Sequence, residues 1–292
     1  MARIPFGVSR LDRRIGGGAP TGSVVLLAGE AGAGARELLY TSAIINGLSH
    51  ADEDLFDLHY GDLIANAKRP EEIHYVSFTG GRENLREEMG YTMDEEIVES
   101  GLDAVQFADL SSQFFQLSPV PRAWYSGSYG NITDLGKREE RRTVIEALAD
   151  HLDQHASNSL FCIDSLTDLI SVRDEEDLSF QDIVYTLKVL RKASHRWEGL
   201  LLVHVSLESV RDIRLGDLMA AGDGTLICRW EEGGNELART LMVREFRGVL
   251  SQLEEEDIVR FETEIHEAGF DISDVRKIRY RSSNRQRDVI WV

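Results

Sequence analysis

Short, nearly unbroken apolar runs recur along the chain at Val24–Ala28, Ile73–Phe78, Ala104–Leu110, Ser159–Ile163 and Leu200–Val205. Runs of this kind are expected of strands buried on both faces of a parallel sheet. Stretches with helical spacing lie between them. Leu38, Leu39, Ile44, Ile45 and Leu48 share a repeating face. So do Val144, Ile145, Leu148 and Leu152 within Arg138–His155, and Ile183, Val184, Leu187 and Leu190 within Phe180–Trp197. The alternation predicts an α/β fold with a mainly parallel central sheet flanked by helices.

From Thr225 the rhythm becomes strand, turn, strand, with Gly233-Gly234-Asn235 at the turn, which predicts antiparallel strands at the C-terminal side. After Gly248 the pattern predicts an acidic helix over Leu253–Ala268 and a basic strand within Val275–Arg287. The expected organisation is therefore a domain over 1–248 and a helix-plus-strand extension over 249–292. Two segments read as insertions: an acidic connection, 48–72, and an aromatic loop, 111–137, carrying Phe114, Phe115, Trp124, Tyr125 and Tyr129.

Composition adds one strong feature. Asp plus Glu total 51 against 32 Lys plus Arg, a formal net charge of -19, with Arg supplying most of the basic residues. Such an excess fits a halophilic, archaeal cytoplasm and works against a general nucleic-acid coat. The apolar runs are too short to span a bilayer, so no membrane role is expected. Cys162 and Cys228 sit in apolar runs and read as core residues. The histidines show no metal spacing along the chain, and His204, inside an apolar strand, reads as a hydrogen-bonded core residue.

A phosphate-binding loop needs glycines so that backbone N–H groups can turn towards phosphate oxygens. It also needs a Lys for the β- and γ-phosphates and a Ser or Thr for magnesium. Gly29, Glu30, Ala31, Gly32, Ala33, Gly34, Ala35 and Arg36 supply the glycine scaffold at a strand-to-helix turn. The stretch Phe6–Leu39 closely resembles the amino-terminal motif of the RecA/KaiC/RadA family of P-loop ATPases, through Gly7, Leu11, Asp12, Gly16, Gly17, Gly18, Pro20 and Gly22. By the same likeness LFCIDSLTDL corresponds to the Walker B strand, with Asp164 as the magnesium-orienting carboxylate and Ser165 beside it. DGTLICRW corresponds to a later core strand, and RTLMVREFRG to a terminal signature ending in Arg247.

The likeness implies a RecA-like P-loop fold with nucleotide at the loop, and four departures change the implied chemistry. Ala35 stands where the phosphate Lys belongs, and Arg36 where the magnesium-binding Ser or Thr belongs. Thr79 and Gly80 follow YVSF where paired glutamates activate water, and Glu245 replaces a Lys that reaches a neighbouring subunit's nucleotide. No catalytic residue is therefore assigned. The expected site is Gly29–Arg36 with Asp164 and Arg247, holding ATP or another nucleotide, with magnesium short of its loop ligand and hydrolysis lost.

The leading expectation is a degenerate RecA/KaiC-like protein that senses nucleotide or acts as a scaffold in signalling or regulation, through a protein partner or self-association. One alternative is a DNA-recombination accessory protein resembling RadA paralogues, with the basic tail Arg276–Arg287 as the DNA contact. The other is a structural scaffold that binds no nucleotide.

Overall fold

The computed structural model describes residues 2–116, 120–121, 124–125, 143–171, 179–210, 212–233, 236–249 and 260–273. At the amino terminus β1 (Arg3–Ile4) and β2 (Ala19–Pro20) pair antiparallel around helix α1 (Ser9–Arg14). Then follow β3 (Ser23–Gly29), α2 (Ala35–Ala51), α3 (Glu53–His59), β4 (Ile73–Ser77), α4 (Arg82–Gly90), α5 (Glu95–Asp103), β5 (Val105–Asp109) and α6 (Ser111–Phe115). The second half holds α7 (Val144–His155), β6 (Leu160–Asp164), α8 (Leu166–Ser171), α9 (Phe180–Trp197), β7 (Leu200–Ser206) and α10 (Asp212–Ala221). It ends in β8 (Gly224–Gly233), β9 (Glu236–Arg244), β10 (Arg260–His266) and β11 (Gly269–Ile272).

These strands form one nine-stranded sheet in the order β11-β10-β9-β8-β3-β7-β6-β4-β5. Every pair from β8 to β5 is parallel, and the three pairs from β8 outward to β11 are antiparallel. The α/β architecture and the antiparallel C-terminal strands are those expected. Alternate residues of β3 serve opposite faces: Val25 and Leu27 enter an apolar cluster with Leu38, Ile44 and Tyr75. Val24, Leu26 and Ala28 enter a second cluster with Phe161, Leu187 and Val203. A strand buried on both sides has no polar face to show, which is why its sequence reads as a continuous apolar run. Cys162 and Cys228 are free and buried in the core.

Three expectations change. The helix predicted over Leu253–Ala268 is not helical in its described part: Arg260–His266 is β10 and pairs with β9 through Phe261↔Leu241 and Thr263↔Arg239. Phe261 and Thr263 are buried while Glu264 is exposed, a period of two that β9's otherwise open edge turns into pairing. The acidic connection 48–72 is not one loop. α2 runs to Ala51, and Asp52 accepts a hydrogen bond from the Leu55 amide to start α3. The aromatic loop begins with α6, and most of its remainder, like Val275–Arg287, lies outside the described residues.

The GGG and Leu-Asp motifs near the amino terminus are structural fasteners. Gly18 has φ +107°, and a Cβ there would lie 2.1 Å from the Ile4 carbonyl oxygen. Asp12 is fully buried and accepts hydrogen bonds from the amides of Phe6 (2.9 Å) and Gly7 (3.1 Å) and from the Tyr60 hydroxyl (3.1 Å). Burial pushes its carboxyl up to about 7 even though these donors favour the charged form. Asp12→Ala would strand three buried donors at ~1–3 kcal/mol each, with partial relief from relaxation. The expected loss is roughly 2–5 kcal/mol of unfolding free energy, read by urea denaturation.

Candidate functional site

The carboxyl ends of β3, β6, β7 and β8 converge on one edge, the usual place for ligands in parallel α/β sheets. Gly29 closes β3 between Ser206 of β7 and Cys228 of β8. The chain then turns into α2 through positive φ at Gly32 (71°) and Gly34 (107°). Gly34 is the residue preceding the helix, and a Cβ on it would meet the Phe270 ring at 2.8 Å. The Ala33 amide donates to Glu30 O, and the Glu30 amide to Cys228 O. The amides of Gly32, Gly34, Ala35 and Arg36 find no acceptor among the described residues. Unpaired donors at a helix start carry the positive end of its dipole and suit an anion.

This turn lines a cleft of about 280 Å³, close to the lower end of ordinary ligand sites. Of the expected site residues, Gly29, Glu30, Ala31, Gly32, Gly34, Ala35 and Arg36 line it, together with Glu37, His204 and Ser206. Ala33 is wholly buried in the core beneath the turn. Ala35 is also nearly buried, so its methyl fills space without reaching towards a ligand.

Asp164, at the end of β6, is joined to the cleft through Arg36. Its Oδ1 lies 3.5 Å from Arg36 Nη2, and its Oδ2 accepts a hydrogen bond from the Tyr75 hydroxyl at 2.9 Å. His204 Nδ1 stands 3.3 Å from Asp164 Oδ1, a close approach without hydrogen-bond alignment. Burial opposes the charge on Asp164, but His204, Arg36 and Tyr75 outweigh it and hold the carboxyl below its usual range. His204 is therefore buried, as the sequence implied, but it faces the cleft edge and not only the core.

The side chains that brace the turn from elsewhere in the chain were not foreseen from the motifs. Glu208, just beyond β7, accepts the Ala31 amide at 2.7 Å through Oε1 and the Ser206 hydroxyl at 2.7 Å through Oε2. A carboxylate thus sits on one of the loop's own amides. Burial disfavours its charge, but the Ala31 and Ser206 donors prevail and lower its pKa. On the other side the Trp230 indole donates to Ala31 O (3.0 Å) and its amide to Glu30 Oε2 (3.0 Å). Arg239 donates to Gly32 O (2.9 Å) while lying 4.6 Å from the Trp230 ring centre. The available signal was position: Glu208 follows β7, and Trp230 lies just past Cys228, the β8 residue level with Gly29.

Arg247 is not brought into the cleft. It is exposed in the turn after β9, and its amide donates to Asp223 O beside the start of β3, at the far end of the sheet. Glu245 lies in the same turn. Thr79 and Gly80 follow β4 and offer no carboxylate; the Gly80 amide donates to Ser77 Oγ at 3.0 Å.

No protein-family model and no curated protein matches the sequence. Among solved structures, a KaiC-like protein from the hyperthermophilic archaeon Pyrococcus horikoshii OT3 superposes with a TM-score of 0.59. It is 19% identical, and the match covers 93% of this chain and 99% of that one. The fold is that of a KaiC-like protein. Within this KaiC-like fold the β3–α2 turn and the end of β6 are the elements on which the sequence motifs fall. Beyond Gly248, β10 and β11 extend the same sheet. None of the helices described is long and apolar enough to cross a membrane.

Removing the guanidinium tests the charge balance at Asp164. A carboxyl held low by its surroundings contributes stability above its unfolded pKa, and this is lost as pH falls through the folded value. Arg36→Ala should therefore move the acid limb of stability to higher pH. At neutral pH it should cost about 1 kcal/mol or less, because the Arg36 side chain is half exposed. Urea midpoints collected across the acid range read both effects.

Proposed function

We propose that this chain is a KaiC-like member of the RecA-fold proteins that has lost hydrolysis and keeps its phosphate loop to sense nucleotide. It acts in signalling or regulation through contacts with another protein or a second copy of itself. The observation that carries this reading is the Arg36–Asp164 pair at 3.5 Å. It sets a fixed guanidinium beside the loop, at the position the resemblance gives to a magnesium ligand. The acidic composition supports a halophilic archaeal cytoplasm as the setting.

Binding and turnover respond differently to the same replacements. One lost charge-assisted hydrogen bond costs roughly 1.5–3 kcal/mol, about ten- to a hundred-fold in affinity. The free amides of the turn and the Arg36 guanidinium offset part of that for a phosphate. Phosphoryl transfer, by contrast, depends on metal, Lys and a water-orienting group acting together. Ala35, Arg36, Thr79 and Gly80 supply none of these. The expected outcome is ATP binding that persists in EDTA, with no release of inorganic phosphate. Arg36→Ala should weaken binding about ten- to a hundred-fold, read by calorimetric titration at molar KCl. Binding that collapses without magnesium, or phosphate release at an ordinary enzymatic rate, would refute the reading.

One observation favours the alternative of a scaffold without nucleotide: Glu208 already satisfies the Ala31 amide. Glu208→Ala removes this internal acceptor and one negative charge. If the site is a sensor, ATP affinity should rise about tenfold, from removal of roughly 1.4 kcal/mol of competition. A thermal-shift series in which neither wild type nor Glu208→Ala responds to any nucleotide would support the scaffold. The DNA-accessory alternative rests on the tail Arg276–Arg287, outside the described residues.

A further inference from the structure

At the end of the sheet opposite the cleft, residues distant in sequence converge. Glu72 immediately precedes β4, His74 is the second residue of that strand, and His155 is the last residue of α7. One carboxylate oxygen and two imidazole nitrogens from these residues lie within 4.8 Å of one another. Glu72 Oε2 is 2.9 Å from His74 Nε2 and 3.2 Å from His155 Nδ1. His151, one turn earlier on α7, places its Nε2 3.2 Å from His74 Nδ1. Phe161 of β6 stacks on the His74 ring, centre to centre at 4.5 Å and nearly parallel at 7°.

We infer that Glu72, His74 and His155 form a binding site for a divalent transition-metal ion of the zinc class. The ligating atoms are Glu72 Oε2, His74 Nε2 and His155 Nδ1. Two imidazoles and a carboxylate are a donor set that zinc takes readily, and one that magnesium or calcium, which prefer all-oxygen shells, does not. Ligands about 2.0–2.1 Å from a tetrahedral centre are themselves about 3.3 Å apart. The two separations from Glu72 are within a few tenths of an ångström of that spacing. His151 holds the other nitrogen of His74, the orienting contact that metal-binding histidines commonly have.

Access also fits. The His74 side chain is 0% exposed and fixed by Phe161, while Glu72 and His155 are 42% and 33% exposed. An ion can therefore enter from solvent and keep a water in a fourth position. Bound there, it would clip the end of α7 to the base of β4. No metal spacing is visible along the chain because His74 lies far from His155 in sequence. Only the His151/His155 pair, one helical turn apart, carried a local signal.

A second cluster, Glu264, His266 and Asp271 on the β10–β11 hairpin, is the competing location. Asp271 there already faces Arg10 at 3.4 Å, and a resident cation opposes a second one. It serves as the control.

The test is calorimetric titration of chelator-treated full-length protein with Zn²⁺, with Co²⁺ as a visible-absorption probe. One equivalent should bind. Glu72→Gln and His155→Ala should each weaken binding at least tenfold, and His151→Ala about ten- to a hundred-fold. His266→Ala should leave the affinity unchanged. Absence of saturable binding, unaltered affinity in His155→Ala, or loss of binding in His266→Ala would overturn the assignment. Should the α7 variants fail to fold, the wild-type Co²⁺ spectrum decides: intense tetrahedral bands support the site, and the weak bands of the aqueous ion refute it.

Discussion

The amides of Gly32, Gly34, Ala35 and Arg36, where β3 turns into α2, have no acceptor among the described residues. A folded chain rarely leaves such donors unanswered, and the surrounding structure is arranged around that demand. β3 delivers the turn from the centre of the sheet, where both neighbours are parallel and both faces are dry. Its register sets Gly29 level with Ser206 and Cys228, so the turn emerges where several strand ends open together. Glu208, Trp230 and Arg239 then answer the backbone groups of residues 31 and 32, while the first amides of α2 stay without an acceptor among the described residues.

Under the proposed function, Ala35 and Arg36 in place of a Lys and a Ser or Thr shift such a turn from transfer to recognition for a simple electrostatic reason. A guanidinium is a permanent cation that needs no recruitment from solvent. It neutralises Asp164 and stays beside the loop whether or not metal is present. A metal can leave with its product, whereas an arginine cannot.

The sheet was largely readable from the sequence because strands buried on both faces cannot disguise themselves. Val24–Ala28 and Leu200–Val205 contain almost nothing but apolar residues, and Phe180–Trp197 was bounded correctly by its helical period. Residues 260–266 were misread because their pairing is decided by β9, which lies elsewhere in the sequence. The same reason explains what was missed at the crevice. Gly29–Arg36 is contiguous and carries its own signature, but Glu208 and Trp230 reach it only after the chain has crossed the sheet. Glu72, His74 and His155 are likewise brought together by a strand and a helix whose contact no local pattern records.

The contact between Phe270 and Gly34 ties the last described strand to the turn between β3 and α2. The ring occupies the space a side chain at 34 would need, and the Phe270 amide donates to Thr41 Oγ1 at 2.8 Å on the same helix. With φ at +107°, position 34 keeps its demand for glycine even where a smaller residue at 270 would open the space. A chain shortened before β11 would lose the wall behind this turn, however intact the turn's own residues remained.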